Sequence, residues 1–243
     1  MDASHAVALD RAISPDRLGT YLGAANGDVG LARELYVWDR DVASALLADI
    51  AIAEVALRNA LNLRLSADYG PDWYRTRDLF DQRSVRALAS AWSRLPRAGR
   101  TPGRLVAQLT LGFWVGLLDA GAEMGPAPQD YRANYEDLWR RTLSRGFPGG
   151  RVAAAAAGRV FNRAWVHSVA LEIQGVRNRA AHHEPLLRGI PLNGQKDSTG
   201  RARRITVQQG HDQLRTLIGM VDRDLLAWLD GNTQVPTVLL LRP

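Results

Sequence analysis

The chain has 243 residues, 46% hydrophobic and 23% charged with no cysteine, values that exclude wholesale disorder, disulfide staples and thiolate metal sites. Its formal charge is +6, and all but one of its 31 basic residues are arginine, the exception being Lys196; this permits a phosphate-bearing partner without requiring one. No apolar run approaches the roughly 20 residues of a membrane helix and the first residues lack a signal-peptide layout, so a cytoplasmic protein with no membrane partner is expected.

The pattern is helical nearly throughout. Ser14-Pro15 is an N-cap and first-turn pair for a short helix ending by Gly27. Asp28 can cap the next element, and Asp39 or Asp41 begins or re-phases a long helix running to about Ala67, before Gly70-Pro71. A third helix fits Asp81–Leu95. Arg94–Arg104 (RLPRAGRTPGR) reads as a basic loop closed by the Thr101-Pro102 capping signal, and a very apolar helix follows over Leu105–Ala120. Gly121–Gln129 is a Gly/Pro-rich connection and Tyr131–Leu143 a further helix. Val152–Glu184 reads as one helix of about thirty residues that Pro185 cannot continue. Ile190–Arg204 is polar, basic and glycine-containing, and reads as a mobile loop. A last amphipathic helix fits His211–Leu229, within about 208–230, and VPTVLLL is a short extended or clamping tail. With no internal repeat and no clear boundary, one all-α domain over 1–243 is expected.

On the Val152–Glu184 segment, Trp165, Val169, Ile173, Val176 and Ala180 form one core-facing stripe. A second line, Val160, Ala164, His167, Leu171, Asn178 and His182, runs nearly opposite, so the helix should be sandwiched within a bundle or against a partner subunit. That line turns polar at its end, where Asn178 and His182 sit at i and i+4. Arg177 and His182 stand about 140° apart around a regular helix and converge only through the arginine's reach or across a dimer. His182 and His183 fall in the expected final turn, whose carbonyls favour a protonated imidazole.

Farther back, Leu46, Ile50, Ala53, Leu57 and Leu61 form another stripe, and Glu54 projects close to its centre. A carboxylate there needs a partner. Arg58, at i+4, is the local candidate; Arg177 or Arg179 is the distant one. Glu54 then either locks two helices as an ion pair or, with Arg58, orients the Arg177/His182 pair or helps to bind phosphate.

The string Arg177-Asn178-Arg179-Ala180-Ala181-His182-His183-Glu184-Pro185 resembles the signature of the Abi-like branch of the HEPN superfamily. Leu35–Leu61, the YGPDWY string at Tyr69–Tyr74, and Thr101–Leu118 with its LTLGFW segment resemble the same family, and together the matches span roughly Leu35 to Leu187. The resemblance implies an all-α, HEPN-like helical bundle with additional helices, a homodimer, and metal-independent cleavage of RNA in antiviral or toxin-type defence. It implies catalytic roles for Arg177 and His182, and supporting roles for Asn178, His183, Glu54 and Arg58. It also leaves open a non-catalytic RNA- or nucleotide-binding module or regulatory dimer, and an unidentified neutralising or regulatory partner.

Other chemistry has little footing. Adjacent histidines diverge on a helix and no H-E-x-x-H string occurs, so neither metal nor cofactor is expected. His167 reads as a polar core or interface residue, and His5 and His211 suggest nothing. The tryptophans fall in apolar stripes and read as core, whereas the loops at Arg94–Arg104 and Arg188–Arg204 could touch RNA phosphates.

Overall fold

A computed structural model of the protein describes residues 3–76, 78–125 and 131–243. After α1 (Ala3–Ala12), Ser14 Oγ accepts the Arg17 N–H at 3.3 Å and starts α2 (Pro15–Ala24). Asn26 and Gly27 turn the chain with positive φ, and the Asp28 carboxylate takes the Leu31 N–H at 3.0 Å to open α3 (Val29–Tyr69). This helix is unbroken for 41 residues. Asp39 and Asp41 therefore lie inside it, not at a start, and Asp39 is buried.

Asp81 caps α4 (Gln82–Arg94) through the Ser84 N–H, and Thr101 caps α5 (Pro102–Gln108) through the Arg104 N–H. The single apolar helix expected over Leu105–Ala120 is instead two. Leu109 and Thr110 are extended, and α6 (Leu111–Gly116) starts anew. Strands β1 (Glu123–Met124) and β2 (Tyr131–Arg132) pair antiparallel; the remainder of that connection, 126–130, lies outside the described residues. Asn134 caps α7 (Tyr135–Arg141).

The thirty-residue helix also divides, into α8 (Gly150–Ala156) and α9 (Arg163–Ala181). Gly158 takes φ +61° and, with the Gly158 N–H on Ala155 O and the Arg159 N–H on Ala154 O, closes α8 in a Schellman turn. Asn162 then caps α9 through the Trp165 N–H at 2.9 Å. Nor is Ile190–Arg204 a loop. It forms a hairpin of β3 (Ile190–Lys196) and β4 (Ala202–Ile205), whose turn is tied by Asp197 Oδ1 to the Thr199 and Arg201 N–H groups. Asp222 separates α10 (Val207–Val221) from α11 (Arg223–Asn232), and the VPTVLLL tail is helical as α12 (Val235–Leu240).

The protein is thus largely helical, and none of its described helices is long and apolar enough to cross a membrane. The chain gathers into two compact units. The first comprises Met1–Ile50, Gly175–Asp212 and Gly231–Pro243; the second comprises Ala51–Gln174 and Gln213–Asp230. In the first, Tyr21, Ala25, Ala32 and Leu35 pack with Leu22 and Leu187, the hairpin buries Ile190, Leu192 and Ile205, and Trp38 Nε1 donates to Val238 O at 2.8 Å. The second is built on rings: Trp73 lies among Phe80, Phe113 and Trp114 at centroid distances of 5.7, 6.3 and 6.0 Å. The sequence-derived stripes hold. Leu46, Ile50, Ala53, Leu57 and Leu61 are buried on α3, as are Val169, Ile173, Val176 and Ala180 on α9, with Trp165 half-buried.

Candidate functional site

The motif string stands where α9 stops. The His182 N–H still donates to Asn178 O at 2.9 Å, but the His183 N–H turns back to Ala180 O at 3.1 Å and the Glu184 N–H to Arg179 O at 3.0 Å. With His183 at φ +55°, these last two bonds make a Schellman stop. Glycine is the usual occupant of this position, and an L-residue costs about 1–2 kcal/mol in that backbone region. The histidines are therefore not in the last helical turn: His182 is its C-cap, and His183 the residue beyond.

Several groups of the first unit hold this stop in place. Arg179 Nε donates to Pro185 O at 2.7 Å and its Nη1 to Glu184 Oε2 at 2.8 Å, while the Arg17 guanidinium, from α2, donates to the His183 carbonyl. The Leu186 N–H donates to both Asp39 oxygens at 3.1 and 3.0 Å, and the Tyr21 hydroxyl to Asp39 Oδ2 at 2.8 Å. Asp39 is only 4% exposed. Burial pushes its carboxyl above the ordinary range, against the opposing pull of the Leu186 and Tyr21 donors and the Arg179 charge. Burial, and then the neighbouring Asp39 charge, pushes the Tyr21 phenol well up.

His182 and Asn178 are exposed and share one side of the helix end. Among the described residues no hydrogen bond or ion pair engages the His182 ring. Arg177 is half-buried and has partners of its own. His183 is exposed, and its side chain borders a cleft of about 360 Å³ lined also by Arg17, Tyr36, Asp39, Arg40 and Ser44. Glu54 and Arg58 belong to the second unit, both half-buried, on the part of α3 beyond Ile50. Glu54 thus lies at the margin of its stripe, not at the centre, and it too has partners.

The second line on α9 is open: Val160 is 75% exposed in the turn before the helix, Leu171 is 39% exposed, and Ala164 is exposed. His167 on the same line is half-buried, and burial lowers its pKa despite the Asp119 charge. Among the described residues no three His, Asp or Glu side chains gather as a metal-ligand group.

Three residues about the motif end escaped the sequence reading: Arg17, Tyr21 and Asp39. The last was detectable. Leu35, Asp39, Val42 and Leu46 recur at helical spacing, so Asp39 is a carboxylate on an apolar stripe, the same signal that drew attention to Glu54. His211 also escaped. It is 1% exposed, its Nε2 lies 3.4 Å from Asp49 Oδ2 and 3.3 Å from Thr233 Oγ1, and the Thr233 hydroxyl donates to Asp49. Comparison with protein-family models, curated proteins and solved structures finds no match.

Proposed function

We propose that the end of α9 is the reactive centre of a metal-independent endoribonuclease of the HEPN type, working as a homodimer in defence. The observation that carries this is the His182 ring: exposed, unengaged by the described residues, and fixed at its backbone by a helix stop held from several sides. A general base must be free to take a proton yet fixed in position. A neutral His182 takes the proton of a ribose 2′-hydroxyl, whose oxygen attacks the adjacent phosphorus. The 5′-oxygen leaves with a proton supplied by the protonated His182 of the second subunit. Arg177 stabilises the charge on the phosphorane oxygens. The products carry 2′,3′-cyclic phosphate and 5′-hydroxyl ends. Asn178 supports the pair, and His183 shapes the backbone beneath it. The exposed line through Ala164 and Leu171 supplies the contact between subunits, so Leu171→Arg should yield monomers by sedimentation.

Activity tests this directly. His182→Ala should lower RNA cleavage by about 10²–10⁴-fold with the circular-dichroism spectrum unchanged, and Arg177→Ala should do likewise. Undiminished cleavage by His182→Ala would move the centre elsewhere. The cleft beside His183 favours a second reading, a nucleotide- or RNA-binding module without turnover, because Arg17 and Arg40 can meet phosphate and Tyr36 a base. Saturable RNA binding with no new ends under any condition would select it.

A further inference from the structure

The charge of the protein is unevenly placed. Residues 82–118 contain Arg83, Arg86, Arg94, Arg97, Arg100 and Arg104 and no carboxylate, so this stretch alone matches the formal charge of the whole chain. Arg83 is neutralised by Asp81 at 2.5 Å and Asp119 at 2.7 Å. The other five have no carboxylate partner among the described residues; Arg100 and Arg104 donate to the carbonyls of Leu95 and Gly99, at 3.3 and 3.4 Å.

Within this basic field lies an aromatic shelf. The rings of Tyr74 and Trp92 are 5.7 Å apart with planes 35° from parallel. The Arg75 guanidinium lies 5.6 Å from the Tyr74 ring and 5.7 Å from the Trp92 ring, and that of Arg100 lies 5.5 Å from Trp92. A cleft of about 280 Å³, walled by Leu88, Ala89 and Leu105, opens against the same rings. Trp92 therefore departs from Trp73, Trp114 and Trp139: they are buried, whereas it is half-buried beside open space.

We infer that the Tyr74–Trp92 shelf and its arginines bind single-stranded nucleic acid, one base entering the cleft against the rings while neighbouring phosphates lie on Arg97, Arg100 and Arg104. Unpaired arginines alone would suit any polyanion. Aromatic rings bordering a cleft select one that carries flat, unstacked bases, which a duplex withholds. Among the described residues Arg75 is in no ion pair, its guanidinium lying over the rings and beside the Tyr74 hydroxyl, so it can leave them for a phosphate as a base arrives. This site would bind its strand whether or not His182 cleaves.

The experiment is fluorescence anisotropy of a labelled uridine 15-mer, titrated with the full chain carrying His182→Ala so that cleavage cannot intrude. Trp92→Ala should weaken binding by about 5-fold or more, the loss of one stacked base. Because Trp92→Ala could unsettle α4, the double variant Arg97→Glu/Arg104→Glu, confined to exposed side chains, gives a second reading. It should lower the slope of log affinity against log salt by about 1.4, corresponding to two lost phosphate contacts at about 0.7 each. An abasic 15-mer and a 15-base-pair duplex should both bind more weakly than the uridine strand. Equal affinity for the abasic strand, as an acidic protein partner's surface would give, overturns the inference. So does equal affinity for the duplex, or an unchanged salt slope in the double variant. Binding that behaves as expected while the wild-type chain leaves RNA uncut would overturn only the endoribonuclease reading.

Discussion

Two carboxylates buried on α3, ten residues apart, do different work. Asp39 accepts the Tyr21 hydroxyl and the Leu186 N–H, and so fastens the chain just after the His182-His183 stop to α2 and α3. Asp49 accepts the Thr233 hydroxyl and lies beside His211, and so fastens the segment leading into α12. Both are at most 5% exposed. Similar burial therefore serves the candidate centre in one case and the chain's closure in the other. The difference lies in which segment of the chain each carboxylate holds.

The sharpest way to break that comparison is to remove each carboxylate. Asp39→Ala strands a buried N–H and a buried hydroxyl, at about 1–3 kcal/mol apiece, so urea unfolding should show a loss of about 2–6 kcal/mol. RNA cleavage should fall beyond what that loss explains when it is measured where the variant is still folded. Asp49→Ala should cost about 1–3 kcal/mol and leave cleavage per folded molecule unchanged. Equal losses of activity in the two variants would erase the distinction.

Titration refines it. Folding raises the Asp39 pKa, so the folded chain holds this proton more tightly than the unfolded chain does. The stability contributed by the group is fullest below about pH 4 and declines as pH rises through the folded value. Asp39→Asn keeps an acceptor for its donors and removes that decline. Its stability relative to wild type should therefore rise between pH 4 and pH 7, and a flat difference would show that the carboxyl is not held protonated by burial.

The smallest effect concerns His183. Its left-handed backbone favours glycine, so His183→Gly should leave stability unchanged or raise it by up to about 1 kcal/mol, with cleavage retained. His183→Ala should lie below both. Loss of cleavage in the glycine variant would give the imidazole itself a role.

These residues also mark how far the sequence could be read. Capping chemistry was legible at Ser14, Asp28 and Thr101, because that signal is local, but not at Asn134 or Asn162, which sat inside longer helical patterns. Helix breaks inside apolar stretches were not. The stripe on α9 continues in pattern back through 157–162, and only the Gly158 stop and the Asn162 start betray the turn. The β3–β4 hairpin looked like a loop because few of its side chains are buried, leaving a mostly polar sequence. Within the candidate centre, the motif string was visible from residue order, whereas Asp39, Tyr21 and Arg17 meet it only through tertiary packing. Asp39 could have been found by the same stripe argument that singled out Glu54, and Glu54 proves the less buried of the two.

Product ends offer the most direct test of the central claim, that an exposed His182 at a fixed helix stop transfers protons during RNA cleavage. RNA incubated with the purified protein in EDTA should gain 2′,3′-cyclic phosphate and 5′-hydroxyl ends, and His182→Ala should produce none. Cleavage that requires magnesium or manganese and leaves 3′-hydroxyl and 5′-phosphate ends would contradict it.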